Sequence, residues 1–120
     1  MINHIFKTKR TYQEADATDG YRVFVDKFWP RGEKKADFHY DLWAKEIAPS
    51  DELRKWFHEN PYSHWDEFRE KYKQELQHSS ALNDFLDKIK GHKTVTLLYS
   101  SKDADNNNAV VLQEFLETRI

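Results

Sequence analysis

Three stretches of the chain carry apolar residues in the short pattern of strands, and four carry them at the spacing of helices. Ile2 to Phe6 is a short strand candidate, and Tyr21 to Asp26 is a stronger one, because β-branched and aromatic residues dominate it before it ends in charge. Thr94 to Tyr99 is continuously apolar after its first turn signals, with Gly91 before it and Ser100-Ser101 after it, which predicts a strand covered on both faces. Between the first two candidates, Tyr12 to Gly20 is polar and predicts a loop or a short helical turn closed by Asp19-Gly20. Helical spacing begins after Pro49-Ser50, where Asp51 and Glu52 suit a first turn and Leu53, Trp56 and Phe57 share a face. Pro61-Tyr62-Ser63 restarts the signal with Ser63 as expected cap, and Trp65, Phe68, Tyr72 and Leu76 then mark an amphipathic helix of about four turns. A third helix is expected from Ser80 to a stop at Gly91, and a fourth from near Asn107, burying Val111, Leu112, Phe115 and Leu116.

Strand, strand, helices, strand, helix predicts a single α/β domain over residues 1–120 with a small, mostly parallel sheet, since long helical crossovers favour parallel pairing. An antiparallel edge element is compatible with the pattern, and strand order is not legible in it. The chain is long enough to remove about two thirds of its unfolded surface from water, which suffices for one core.

Composition narrows the chemistry. There is no Cys, so disulfides, thiolate zinc sites and a cysteine nucleophile are excluded, and a cytoplasmic setting is the expectation. Neither a leader segment nor a membrane-length apolar run is visible, so no membrane partner is expected. The three glycines, Gly20, Gly32 and Gly91, lie too far apart for a dinucleotide fingerprint or a Walker loop. The six histidines are scattered without a close metal-ligand spacing, and Ser100-Ser101 has no nucleophile-elbow context, so neither a metal site nor serine hydrolysis is expected. The net charge of −2 hides an uneven distribution: residues 1–35 are net +3 and residues 36–90 net −4. That permits a local anion site without a broad nucleic-acid footprint.

Two loops stand out because each follows a strand candidate: Asp26-Lys27-Phe28-Trp29-Pro30-Arg31-Gly32 and Ser100 to Asn107. Ligands of open α/β sheets bind at the carboxyl ends of parallel strands, beside the first turn of the following helix. If both strands are parallel, Lys27, Arg31 and Lys102 supply positive charge at one edge, next to Asp26 and Asp103. Asp26 and Asp103 are then the candidate catalytic or orienting acids, and Lys27, Trp29, Arg31, Lys102 and Asn107 the candidate ligand contacts.

The run Arg22-Val23-Phe24-Val25-Asp26-Lys27-Phe28-Trp29-Pro30-Arg31-Gly32 resembles the opening signature of the domain-of-unknown-function 488 family, the YeaO-like cytoplasmic proteins of bacteria and archaea. Asp41 and Trp43, Ala48-Pro49-Ser50 with Leu53 to Phe57, Trp65 to Leu76, and Thr96 to Tyr99 with Lys102-Asp103 and Ala109 to Leu112 are similar to its later blocks, in order. The resemblance spans about residues 1–118 and implies an α/β fold and a cytoplasmic setting; it implies no particular reaction or cofactor. Where the family commonly places His-Asn-His before the last helix, this chain has Asn106-Asn107-Asn108. A role of those histidines in relatives cannot operate here through imidazole, whereas Asn107 keeps the middle position as a cap or an amide contact.

Each candidate also has a structural reading. Asp26 and Asn107 could cap or turn the chain, Trp29 could pack beside Pro30, Arg31 could pair with a nearby acid, and Lys102-Asp103 could be an internal ion pair. The rings at 43, 56, 57, 65, 68 and 72 have core spacing. Three functions follow in order: an anion- or nucleotide-handling α/β domain with enzymatic turnover left open; a nucleic-acid-binding or processing module using Trp29 and Arg31; and a noncatalytic interaction domain exposing Trp56, Phe57 or Trp65.

Overall fold

The computed structural model describes residues 4–120. Its centre is a four-stranded sheet in which every neighbouring pair is parallel. Strands β1 (Ile5–Arg10), β2 (Tyr21–Phe24), β3 (Leu42–Trp43) and β4 (Thr94–Tyr99) lie in the order β1-β4-β2-β3. The expected small parallel sheet is therefore present, without an antiparallel edge. Of the first predicted strand, Ile2 and Asn3 fall outside the described residues, and β1 runs on to Arg10 instead of ending at Phe6. Two-residue β3 has too little sequence to announce itself; it forms because Asp41 N and Ala44 N donate to the carbonyls of Arg22 and Phe24 on either side of the pairing.

The helices are α1 (Asp51–Glu59), α2 (Pro61–Gln77), α3 (Leu82–Ile89) and α4 (Asn108–Glu117). Ser50 caps α1 by accepting from Leu53 N, as its sequence position predicts. The cap of α2 is Asn60, not Ser63: its side chain accepts from Ser63 N, and Pro61 takes the first helical position, where a missing N–H costs nothing. No helix among the described residues is long and apolar enough to cross a membrane.

Side-chain alternation divides β4 between two layers. Val95, Leu97 and Tyr99 join Val23, Leu53, Phe57, Phe68, Tyr72 and the apolar face of α4 in the main core. Thr96 and Leu98 point the other way. Leu98 packs with Phe24 and Phe38 in a smaller cluster that Trp29, Tyr40 and Trp43 close, and Thr96 Oγ1 donates to Asp19 O at 2.6 Å. Helices thus cover one face of the sheet, and the segments 11–20 and 28–43 cover the other. This explains why β4 carries apolar residues on both faces, with Val95, Leu97 and Tyr99 on one and Leu98 on the other: both faces are buried.

The loop-covered face also contains a buried ion cluster. Asp19, in a short 3-10 turn (Ala17–Asp19), accepts from Lys9 and Arg22 and from the backbone N–H of Asp16. Burial alone would raise the Asp19 carboxyl, but those three donors outweigh it and hold the group below the usual carboxylate range. Gly20 follows with φ +66°, and a Cβ there would collide with Thr94 O and stand only 2.8 Å from Thr94 Cβ, so only glycine lets the turn pass so close to β4.

Candidate functional site

The register of the sheet explains the site. Phe24 pairs with Leu98 in the parallel ladder between β2 and β4, and Val25 N still donates to Leu98 O at 3.1 Å. Two residues further along each strand, Asp26 therefore meets Ser100. One Asp26 oxygen accepts from Ser100 N at 2.9 Å and from Ser100 Oγ at 2.6 Å; the other accepts from Asn108 Nδ2 at 3.0 Å. The chain leaving β2 crosses the loop-covered face, as Phe38 shows, while the chain leaving β4 enters α4 on the helical face. Neighbouring strands whose connections leave to opposite sides form the crevice in which open α/β sheets bind ligands.

A cavity of about 330 Å³ occupies that crevice. Asp26, Lys27, Phe28, Trp29 and Arg31 line it from the loop after β2, and Ser100, Ser101 and Asn106 to Asn108 from the other loop. Arg54 and His58, one turn apart on α1, complete its wall, and Phe57 and Phe68 give it an apolar base. The lining thus holds three cationic side chains, Lys27, Arg31 and Arg54, and one carboxylate.

The cations are not equally committed. Lys27 Nζ pairs with Asp51 at 2.7 Å. Arg54 lies over the Phe28 ring, 4.9 Å from its centroid, and only a distant 3.7 Å contact links it to Asp51. Its Nε–H is shielded from solvent and meets no acceptor within the protein. Arg31 makes no ion pair among the described residues; its backbone carbonyl accepts from the Tyr12 hydroxyl at 2.7 Å, which fixes the loop rather than the guanidinium. Burial, and secondly Arg54, hold the His58 imidazole below its ordinary range, with Asp26 opposing them.

The sequence candidates separate accordingly. Asp26, Lys27, Trp29, Arg31 and Asn107 are brought together in the lining, and Lys102 and Asp103 are not part of it. Asp103 is occupied with its own loop, where its carboxylate accepts from the N–H groups of Asp105 and Asn106 at 3.0 Å. Asn107 is 2 % exposed and caps α4 by accepting from Val110 N, while its Nδ2 donates to Asp103 O. Trp29 donates from Nε1 to Glu33 O and meets Phe38, Tyr40 and Trp43 edge-on, so most of its ring is packing. Arg54 and His58 do not stand out in the sequence, and Asn108 does so only through the resemblance, as an asparagine where the family commonly has a histidine. The spacing of Arg54 and His58, four residues apart beside the apolar face of α1, is the one signal it holds for them.

Residues 5–120 match the family profile DUF488-N3i, described as the inactive DUF488-N3 subclade. The chain belongs to the DUF488 family. Among DUF488-like relatives, it is 44% identical over 110 residues to "Uncharacterized protein YeaO" of Escherichia coli (strain K12), covering 92% of this chain and 95% of that one. It is 39% identical over 113 residues to "Uncharacterized protein Mb3100c" of Mycobacterium bovis and to "Uncharacterized protein Rv3073c" of Mycobacterium tuberculosis, covering 94% of each chain. No solved structure gives a significant match. In this DUF488 chain the three asparagines at 106–108 stand in the cleft wall, and Asn107 alone of them caps α4, so the positions at which the resemblance implies histidines carry amides at the site itself.

Proposed function

We propose that this protein binds a small anionic molecule in the cleft between the ends of β2 and β4, and that it does so without turning it over. The observation that carries the reading is that two guanidinium side chains line the same cleft: Arg31 without an ion pair among the described residues, and Arg54 with an unmatched N–H. Guanidinium forks are suited to carboxylate and phosphate oxygens, and an anion in a partly enclosed cleft gains more from them than it would in open solvent. The cavity, at about 330 Å³, lies at the lower end of the range for small-molecule sites.

The noncatalytic part of the proposal rests on how the one acid is used. Asp26 accepts three hydrogen bonds from Ser100 and Asn108, so its oxygens are directed at the protein and not at a reacting atom. The family profile's description of its subclade as inactive points the same way. The nucleic-acid reading has less support, because a single cleft with one unpaired arginine is not an extended basic track. The interaction-surface reading also loses ground: Phe57 is buried, and Trp56 is stacked on His64 at 3.9 Å with Lys71 on it.

Thermal unfolding with inorganic phosphate, sugar phosphates, nucleotides and short oligonucleotides tests the proposal. A concentration-dependent rise in Tm with phosphate-bearing small molecules, lost in Arg31→Ala, is expected. A rise that survives in Arg31→Ala and Arg54→Ala alike would show that the anion binds elsewhere.

A further inference from the structure

A second, wider cavity of about 890 Å³ adjoins the arginine cleft, and both are lined by Lys27, Phe28, Trp29, Ala48 and Pro49. Phe28 stands on that shared ridge with 56% of its surface exposed, a large apolar ring left uncovered between the two cavities. Beyond the ridge, the chemistry of the lining changes. Trp43, Lys45, Glu46, Glu75, Ser79 and Ser80 replace the arginines.

These side chains describe what the second cavity accepts. Lys45 lies over the Trp43 ring, 5.0 Å from its centroid, and two carboxylates, Glu46 and Glu75, offset its charge. Glu75 is itself engaged by Ser50 N and Oγ at 2.9 and 2.6 Å. No excess of positive charge remains for a second phosphate, and the carboxylate and hydroxyl acceptors suit neutral hydroxyl groups. Resting on the anion-binding reading above, we infer that the ligand is a phosphate monoester whose uncharged, hydroxyl-bearing part crosses the Phe28 ridge into the second cavity. A free sugar phosphate and the sugar phosphate of a nucleoside monophosphate share that chemistry.

Calorimetric titration of the full chain with inorganic phosphate, ribose 5-phosphate, AMP and ADP separates the possibilities. Ribose 5-phosphate or AMP should bind about tenfold tighter than inorganic phosphate, and ADP no tighter than AMP. AMP above ribose 5-phosphate identifies the nucleotide as the source, and parity identifies the free sugar phosphate. Ser80→Trp and, independently, Glu46→Trp obstruct the second cavity at exposed positions. Both should lower affinity for the monoester by about tenfold and leave inorganic phosphate within about twofold. Equal affinity for inorganic phosphate and both monoesters, or monoester binding unchanged in both obstructed variants, overturns the two-cavity assignment. Tighter binding of ADP than of AMP overturns its charge argument. Failure of inorganic phosphate itself to bind is a different result, because it removes the arginine-cleft reading on which this one stands.

Discussion

The carboxylate of Asp26 accepts from the side-chain amide of Asn108 at 3.0 Å, and the same amide donates to Val25 O at 3.1 Å. One side chain from the first turn of α4 is thereby tied to the end of β2, across the ladder from its own strand. Asp26→Ala and Asn108→Ala should each cost about 1–3 kcal/mol, because each leaves a shielded polar partner unmatched. The double mutant should cost less than the sum, with a coupling of about 0.5–3 kcal/mol. Urea denaturation of the four proteins measures it; strict additivity would mean that the two residues do not act as a unit.

Asp19 is the acid on which the loop-covered face depends. It pairs with both Lys9 and Arg22 in a shielded cluster, and Arg22 is only 7% exposed. Asp19→Asn should therefore cost about 3–5 kcal/mol, the usual result of leaving a buried charge without its partner. Its pH signature has a definite sign. Since the folded carboxyl titrates below its unfolded value, the stabilisation is complete above the ordinary carboxylate range and is lost as pH falls through the folded value. Acid denaturation followed by circular dichroism should show this loss in the wild type and a shallower one in Asp19→Asn.

Gly20 should resist substitution. Its φ of +66° disfavours any side chain, and a methyl group on its Cα would press into the backbone and Cβ of Thr94, so Gly20→Ala is expected to destabilise by more than about 1 kcal/mol. Gly32 gives the comparison: it also has positive φ, +81°, but open space around it, so Gly32→Ala should cost less. Equal urea midpoints for the two variants would count against the close-approach explanation.

His58 links the cleft to pH. Its folded imidazole titrates below the ordinary value, so the stability that its neutral form contributes is present above about pH 6.5 and is lost as pH falls through the folded value. A bound dianion reverses the balance by favouring the imidazolium. Affinity for sulfate, which does not titrate in this range, should rise between about pH 7.5 and pH 5.5, and His58→Gln should flatten that rise. An identical pH profile in the variant would place His58 outside the anion's reach.

Much of this arrangement is legible in the sequence, and the exceptions have physical causes. The rings at 68 and 72 repeat at helical spacing and are core; Thr94 to Tyr99 is rich in β-branched and apolar residues and lies in the middle of the sheet. Asp26, Lys27, Trp29, Arg31 and Asn107 are recognisable because strand ends and helix starts leave marks in residue type. Register leaves none, so nothing in the chain announces that residues 26 and 100 stand opposite each other. Arg54 and His58 are obscured for a related reason: they flank an apolar helical face, and only the crossing of α1 over the sheet edge decides whether such residues meet solvent or a cleft. Residue type favours Ser63 as the α2 cap, since serine caps well, but Asn60 precedes the proline that starts the helix and takes the role.

The most direct test is calorimetric titration of inorganic phosphate into the wild type, Arg54→Gln and Arg31→Gln at low ionic strength. Saturable one-to-one binding by the wild type, weakened by about tenfold or more in each variant while urea midpoints stay close, is the expected result. Absence of saturable binding by the wild type, or equal affinity in all three proteins, would contradict an anion site in the cleft between β2 and β4.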